Sequence, residues 1–147
     1  MTIDWVPIAV AVLTIGGAAV TYAYQRTVDR RNALVELRRA AYRDYLAAFL
    51  DMSNSSEWVA EITNRHNKAE IDLLVVGSDR VVQQVGDLHR YYSETNHDRF
   101  NRDAENVRRL VAQVAKAMRS DCFEESNLSI DQISDLVPIG ENKRAKS

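Results

Sequence analysis

The first part of the chain is uniformly apolar. Residues 5–25 contain no charged side chain, and a helix over the 20 residues 5–24 is long enough to cross the roughly 30 Å hydrocarbon core of a bilayer. Trp5 at one end and Tyr22 and Tyr24 at the other carry amphipathic rings, which favour the membrane–water interface. We therefore predict a transmembrane helix over residues 5–25.

Two other interpretations of this segment are open. A cleaved signal peptide normally begins with basic residues, whereas residues 1–4 include none and the small-x-small site at residues 21–23 is poor. A buried core helix is usually shorter and has a polar stripe, which residues 5–25 lack. A membrane span fits the pattern better than either.

Positive charge is concentrated directly after the apolar segment. Residues 26–44 hold six arginines and three acidic residues, although the chain has a net charge of −2. Arg26, Arg30 and Arg31 follow the span closely, so the positive-inside rule places residues 1–4 outside and the rest in the cytoplasm. The expected location is the cytoplasmic (inner) membrane, with the lipid bilayer as a partner. These arginines could also bind anionic lipid headgroups, but we favour the interpretation that they only fix the orientation of the span in the membrane.

From residue 26 onward, apolar residues recur at intervals of three and four, which is typical of amphipathic helices. The span is expected to continue as a first helix to residue 52. A second helix is expected after N-cap residues at 53–56, and it should end at Gly77. A third helix over 79–92 and a fourth over 100–120 are expected to be joined by a turn at 93–98. The expected buried positions are Leu34, Leu37, Ala41, Tyr45, Ala48 and Met52 in the first helix, Trp58, Val59, Ile62, Ile71, Leu74 and Val75 in the second, Val81, Val85, Leu88 and Tyr92 in the third, and Ala104, Val107, Val111, Val114 and Met118 in the fourth. Arg38, Arg39 and Arg43 fall off this stripe and are expected outside the core.

These patterns predict an all-α protein in which a transmembrane helix continues into a small antiparallel helical bundle over residues 26–122. Residues 123–147 end in a polar run and are expected to be a largely flexible tail. Within that tail, Ile130, Ile133 and Leu136 have the spacing of a short docking helix.

Small residues in the span favour close approach of two helices. Thr14 and Ala18, and Gly17 and Thr21, are small pairs four residues apart. The apolar positions Leu34, Leu37, Ala41 and Tyr45 extend this pattern along the same helix. We therefore expect these residues as helix–helix contacts and the chain as a homo-oligomer, or as a partner of another membrane or cytoplasmic protein.

Catalytic chemistry has no support in the sequence. Phosphate-binding loops, nucleophile motifs and paired metal-ligand motifs are absent. His89 and His97 flank the predicted turn near Glu94 and Asp98, but a solvated turn explains them better than a metal site. Cys122 is interpreted as an inert thiol. We expect no enzyme activity, cofactor or metal, and the charge balance argues against nucleic-acid binding.

The order of apolar span, arginine-rich segment and then RRAAYRDYLAAF at residues 38–49 resembles small single-pass membrane proteins of high-GC Gram-positive bacteria and their phages. The resemblance extends over about residues 1–122, implies a span followed by a cytoplasmic helical bundle, and assigns no activity. The favoured hypothesis is a membrane-anchored helical interaction or scaffold module. The alternative is a small phage-type protein for lysis or superinfection exclusion, acting through oligomerisation of its span.

Overall fold

A computed structural model describes residues 5–55, 59–98, 102–123 and 126–139, without the side chains of Ile8, Val12 and Asp98. These residues form five α-helices and one short 3-10 helix: α1 (Val6–Asn54), α2 (Ala60–Val76), α3 (Asp79–Glu94), the 3-10 helix (Asn96–Asp98), α4 (Ala104–Cys122) and α5 (Ile130–Ser134). The chain divides into two compact units, Met1–Leu34 and Val35–Ser147. The predicted all-α bundle is confirmed.

The first unit consists of the early part of α1. Every described side chain over residues 5–34 is exposed, including Trp5, Leu13 and Val20. Taken over the described side chains, none of the helices combines the length and the apolar content that crossing a membrane requires. The transmembrane helix over residues 5–25 is thus unconfirmed and stays a prediction.

The second unit is a four-helix bundle whose directions follow from its contacts. Arg38 on α1 donates hydrogen bonds to the carbonyl of Val76 at the end of α2 and to the carboxylate of Asp121 at the end of α4. Eleven residues further along α1, Phe49 packs on Tyr92 near the end of α3. α2 and α4 therefore run opposite to α1, and α3 runs with it, as in an up-down-up-down bundle.

The core is formed by one face of each helix. Its largest fully buried side chains are Tyr45, Phe49, Leu73, Leu88, Val81 and Val114. On α3 the predicted Val81, Val85 and Leu88 are buried, and Tyr92 is half-buried. On α4 Val107, Val111, Val114 and Met118 are buried as predicted, whereas Ala104 is exposed.

The buried face of α2 differs from the prediction. Val59, Ile71, Leu74 and Val75 are exposed and Ile62 is half-buried, whereas the buried residues are His66, Ala69 and Leu73. Trp58 lies outside the described residues. The helix is rotated from the expected face because the histidine, and not the larger aliphatic residues, enters an aromatic part of the core beside Tyr45 and Phe49.

The buried face of α1 is also displaced along the chain. Ala41, Tyr45 and Ala48 are buried as predicted and Met52 is half-buried, but Leu34 and Leu37 are exposed. Val35 is the first apolar residue of α1 that packs against the core, and it is only partly buried. Leu34 belongs to the first unit, and Leu37 lies on the exposed side of α1 in the second unit.

A polar cluster of Arg38, Tyr42 and Asp121 joins the ends of the helices. The Tyr42 hydroxyl donates to Asp121 Oδ2 at 2.5 Å and accepts the N–H of Ser78 at 3.1 Å, while Arg38 Nη1 lies 3.1 Å from Asp121 Oδ1. Burial, with the Asp121 hydrogen bond second, raises the pKa of Tyr42 to about 12, so the phenol stays a donor at neutral pH. Arg38 is therefore half-buried at the edge of the core rather than fully exposed, and this carboxylate satisfies its charge.

The neighbouring Arg39 anchors the end of α4. Its guanidinium donates to the carbonyl of Cys122 at 2.9 Å and lies 4.5 Å from the centre of the Phe123 ring. It also pairs with Glu36 one turn earlier on α1. Arg39 is therefore half-buried rather than outside, whereas Arg43 is exposed as predicted.

The connections follow the predicted capping chemistry in part. α2 ends at Val76 and is followed by Gly77, where an added Cβ would lie 2.6 Å from the Leu73 carbonyl oxygen, so this turn requires glycine. Ser78 precedes α3 as expected, although its side chain makes no capping hydrogen bond. Part of the tail expected to be flexible is folded: α5 forms with a capping box from Ser129, and Ile133 is buried.

Candidate functional site

Three potential metal ligands come together on two neighbouring helices. His66 and Glu70 lie one turn apart on α2, and His89 lies on α3; one donor atom from each falls within 4.8 Å of the others. The i, i+4 spacing places His66 and Glu70 on the same side of α2. Within the described residues this is the one group of three or more histidine, cysteine or carboxylate side chains close enough to share a metal ion.

The two outer members of the cluster form an ion pair. His89 Nδ1 lies 3.2 Å from Glu70 Oε1, and both side chains are partly exposed. The pair is charged only when the imidazole is protonated.

The inner member, His66, is 5% exposed and is the one buried polar residue among those that the structure describes. Its ring packs against Tyr45 at 5.6 Å, Phe49 at 6.1 Å and His89 at 6.1 Å between centroids. Its Nδ1 is buried and has no hydrogen-bond partner among the described residues. Burial lowers the pKa of His66, against a smaller opposing effect of Glu70, so the imidazole is neutral at pH 7.

Tyr45 contributes a second unpartnered group in the same region. Its ring is fully buried against His66, and its hydroxyl has no hydrogen-bond partner among the described residues. Burial raises the pKa of Tyr45 well above its ordinary value, and the nearby Glu70 carboxylate adds to this effect. The phenol is therefore a neutral donor and not a phenolate.

The sequence did not predict this cluster. The sequence pattern groups His89 with His97, Glu94 and Asp98 around a turn. In the structure His89 lies beside Glu70, and His97 is an exposed residue of the 3-10 helix outside the cluster. The usable signal was the His-x-x-x-Glu spacing of residues 66–70, within the polar stretch at 63–68. α2 runs through that stretch without a break.

The predicted contact and interface residues are distributed over both units. Most of them are exposed. The exposed residues of the first unit are Trp5, Thr14, Gly17, Ala18, Thr21, Tyr22, Tyr24, Arg26, Arg30, Arg31 and Leu34, and Leu37 is exposed in the second unit. Ala41 and Tyr45 are buried in the bundle's own core and are therefore unavailable for contact with another chain.

Cys122 is buried, and desolvation, followed by Asp121, raises the pKa of its thiol, which disfavours the reactive thiolate.

Comparison of the chain with models of protein families, with curated proteins and with solved structures finds no match.

Proposed function

We propose that this protein is a membrane-anchored helical module that associates with a second copy of itself. The observation that carries the proposal is the exposure of the apolar stretch at the start of α1, where Trp5, Leu13 and Val20 are 67%, 75% and 71% exposed. A contiguous apolar surface of this kind marks a membrane or protein contact. No polar stripe divides it, which favours lipid on all sides over a single partner groove.

The sequence of residues 5–24 supplies the length and chemistry for a bilayer span. It has no charged residue and includes Ile8 and Val12, whose side chains lie outside the structural description. The hydroxyls of Thr14 and Thr21 donate to carbonyls one turn earlier, at 2.8 and 2.9 Å. Such internal hydrogen bonds satisfy polar groups that lipid cannot. The arginines at 26, 30 and 31 then favour a cytoplasmic bundle.

The association face proposed for the bundle is on α2. Ile71, Leu74 and Val75 are all more than half exposed and are three and four residues apart, so they form one apolar stripe. Chains anchored in one membrane share an orientation and a high local concentration. A modest apolar stripe is therefore sufficient to pair two copies.

Membrane anchoring is tested by alkaline extraction of membranes that contain the full-length chain. The wild-type protein is expected in the membrane pellet, whereas Leu13→Arg/Ile15→Arg is expected in the supernatant, since each central arginine costs about 2.5–3.5 kcal/mol in a span. Val28→Arg/Ala33→Arg adds the same charge beyond the apolar segment and should stay in the pellet. Wild-type protein that is released intact from its first residue would contradict anchoring.

Self-association is tested by disulfide crosslinking in native membranes. Val75 is 78% exposed, and the buried Cys122 is the single natural cysteine, so Val75→Cys introduces one accessible thiol. Mild oxidation should give a covalent dimer for Val75→Cys and little for Gln83→Cys, an exposed polar position on α3. Equal yields for the two variants would overturn the α2 interface.

The alternative, a membrane-active protein that oligomerises through its span, predicts loss of membrane potential on expression.

A further inference from the structure

We propose that His66, Glu70 and His89 form a binding site for one divalent transition-metal ion of the zinc class. Two imidazoles and a carboxylate are the ligands of choice for such ions, whereas Ca²⁺ and Mg²⁺ prefer sites made of oxygen alone. The site would bridge α2 and α3, and it needs neither the membrane anchor nor self-association.

The geometry requires only a small adjustment. Ligand atoms around a tetrahedral zinc ion lie about 3.4 Å apart, given bonds of about 2.0–2.1 Å. The 3.2 Å between His89 Nδ1 and Glu70 Oε1 is already close to this value, and the widest separation in the cluster is 4.8 Å. Because Glu70 and His89 are only partly buried, rotation of their side chains can close the gap of about 1.4 Å while His66 stays in place.

The state of His66 fits a ligand better than a structural residue. A buried imidazole nitrogen without a partner costs free energy, and a core position of this shape is more stably filled by an apolar ring. Metal coordination requires the neutral imidazole. The rings of Tyr45 and Phe49 pack against the imidazole of His66, at 5.6 and 6.1 Å between centroids, and hold it in place beside Glu70 and His89.

Tyr45 defines the inner boundary of the site. Its ring is fully buried against His66, with 5.6 Å between the ring centroids. Three protein ligands then leave one coordination position for water or for a group from a partner. The partly exposed Glu70 and His89 give that position access to solvent.

The test uses the full-length chain, stripped of metal and kept in a mild detergent at pH 7.5. Titration with Co²⁺ should give visible d–d absorption that saturates at one ion per chain and disappears on addition of Zn²⁺. Calorimetry with Zn²⁺ should give the same stoichiometry, and Zn²⁺ should raise the Tm.

The variants His89→Gln and Glu70→Gln each remove one ligand at a partly exposed position, so both should fold without metal. Loss of an outer-shell partner alone weakens metal binding 10–100-fold, so loss of a direct ligand should weaken it at least about 100-fold. His97→Gln makes the same change at an exposed histidine outside the cluster, and its affinity should stay within about twofold of wild type.

Helical content and Tm of each variant without metal establish that it is folded. The proposal is overturned if the wild-type chain gives no saturable Co²⁺ spectrum, or if folded His89→Gln and Glu70→Gln retain wild-type affinity. It is equally overturned if His97→Gln lowers the affinity as much as they do, since binding would then be distributed over surface histidines. If either His89→Gln or Glu70→Gln fails to fold, the metal affinity of the other variant tests the proposal.

Discussion

Replacing Asp121 with alanine is expected to lower the free energy of unfolding of the bundle by about 2–4 kcal/mol. The carboxylate accepts from Arg38 and from the Tyr42 hydroxyl, and the Arg38 and Asp121 side chains are only 22% and 15% exposed. Alanine leaves a guanidinium and a phenol partly buried without their acceptor. The penalty for these unpaired donors, more than the strength of the original bonds, determines the size of the effect.

The measurement is urea unfolding, followed by circular dichroism, of full-length protein in a mild detergent. Asp44→Ala is the matched control, because Asp44 lies on an exposed face and its carboxylate is 3.8 Å from Arg43. Exposed ion pairs of this kind contribute about 0–1 kcal/mol. Asp121→Asn should fall between the two, since Arg38 and Tyr42 bind different carboxylate oxygens and asparagine replaces one of these acceptors with an amide NH2 group, which can only donate. Equal losses for Asp121→Ala and Asp44→Ala would show that the cluster does not hold the helix ends together.

The order of the helices and most of their bounds could be predicted from the sequence, because local signals specify them. The exceptions are the start of α4, at Ala104 rather than at residue 100, and the caps expected at 53–56, since α1 continues to Asn54 and α2 begins at Ala60. Apolar periodicity located α3 and α4, and Gly77 followed by Ser78 located the turn before α3. The spacing of Ile130 and Ile133 predicted the short helix in the tail, but Leu136, the third expected contact, lies beyond α5 and is exposed. Each of these features depends on residues close together in the chain, which a single sequence can show.

The side of α2 that faces the core could not be predicted in this way. Ile71, Leu74 and Val75 form the more hydrophobic stripe, yet the buried stripe contains His66 and Leu73. Which stripe is buried depends on the side chains that the other helices place against α2, and here these are the rings of Tyr45 and Phe49 on α1. Hydropathy ranks residues by their transfer from water, and it contains no information about such long-range complementarity.

The polar clusters were missed for the same physical reason. Arg38 and Asp121 are 83 positions apart, and Glu70 and His89 belong to different helices. A charged residue on a helix is usually solvated, so the sequence favoured an outward-facing Arg38. The pairing becomes visible only when the bundle directions are known, because these directions bring the ends of α2 and α4 to the same level of α1.

The largest single effect is expected for Phe49→Ala, which should lower the free energy of unfolding by about 3–5 kcal/mol. Phe49 is 1% exposed and contacts the rings of Tyr45, His66 and Tyr92, which belong to three different helices. Alanine would open a cavity at the point where α1, α2 and α3 meet. Domains of this size have a total stability of about 5–15 kcal/mol, so the variant should be partly unfolded at moderate temperature.

Phe123→Ala is the matched control for this experiment. Its ring is 61% exposed and its described interaction is the contact with the Arg39 guanidinium, which should contribute about 0.5–1 kcal/mol. Phe49→Leu should retain most of the stability, because leucine fills much of the cavity with apolar atoms. Urea midpoints for the four proteins should follow the order wild type, Phe123→Ala, Phe49→Leu, Phe49→Ala. A Phe49→Ala midpoint near that of Phe123→Ala would mean that α1 does not form the centre of the core, and the packing of His66 between α1 and α3 would then have to be reassigned.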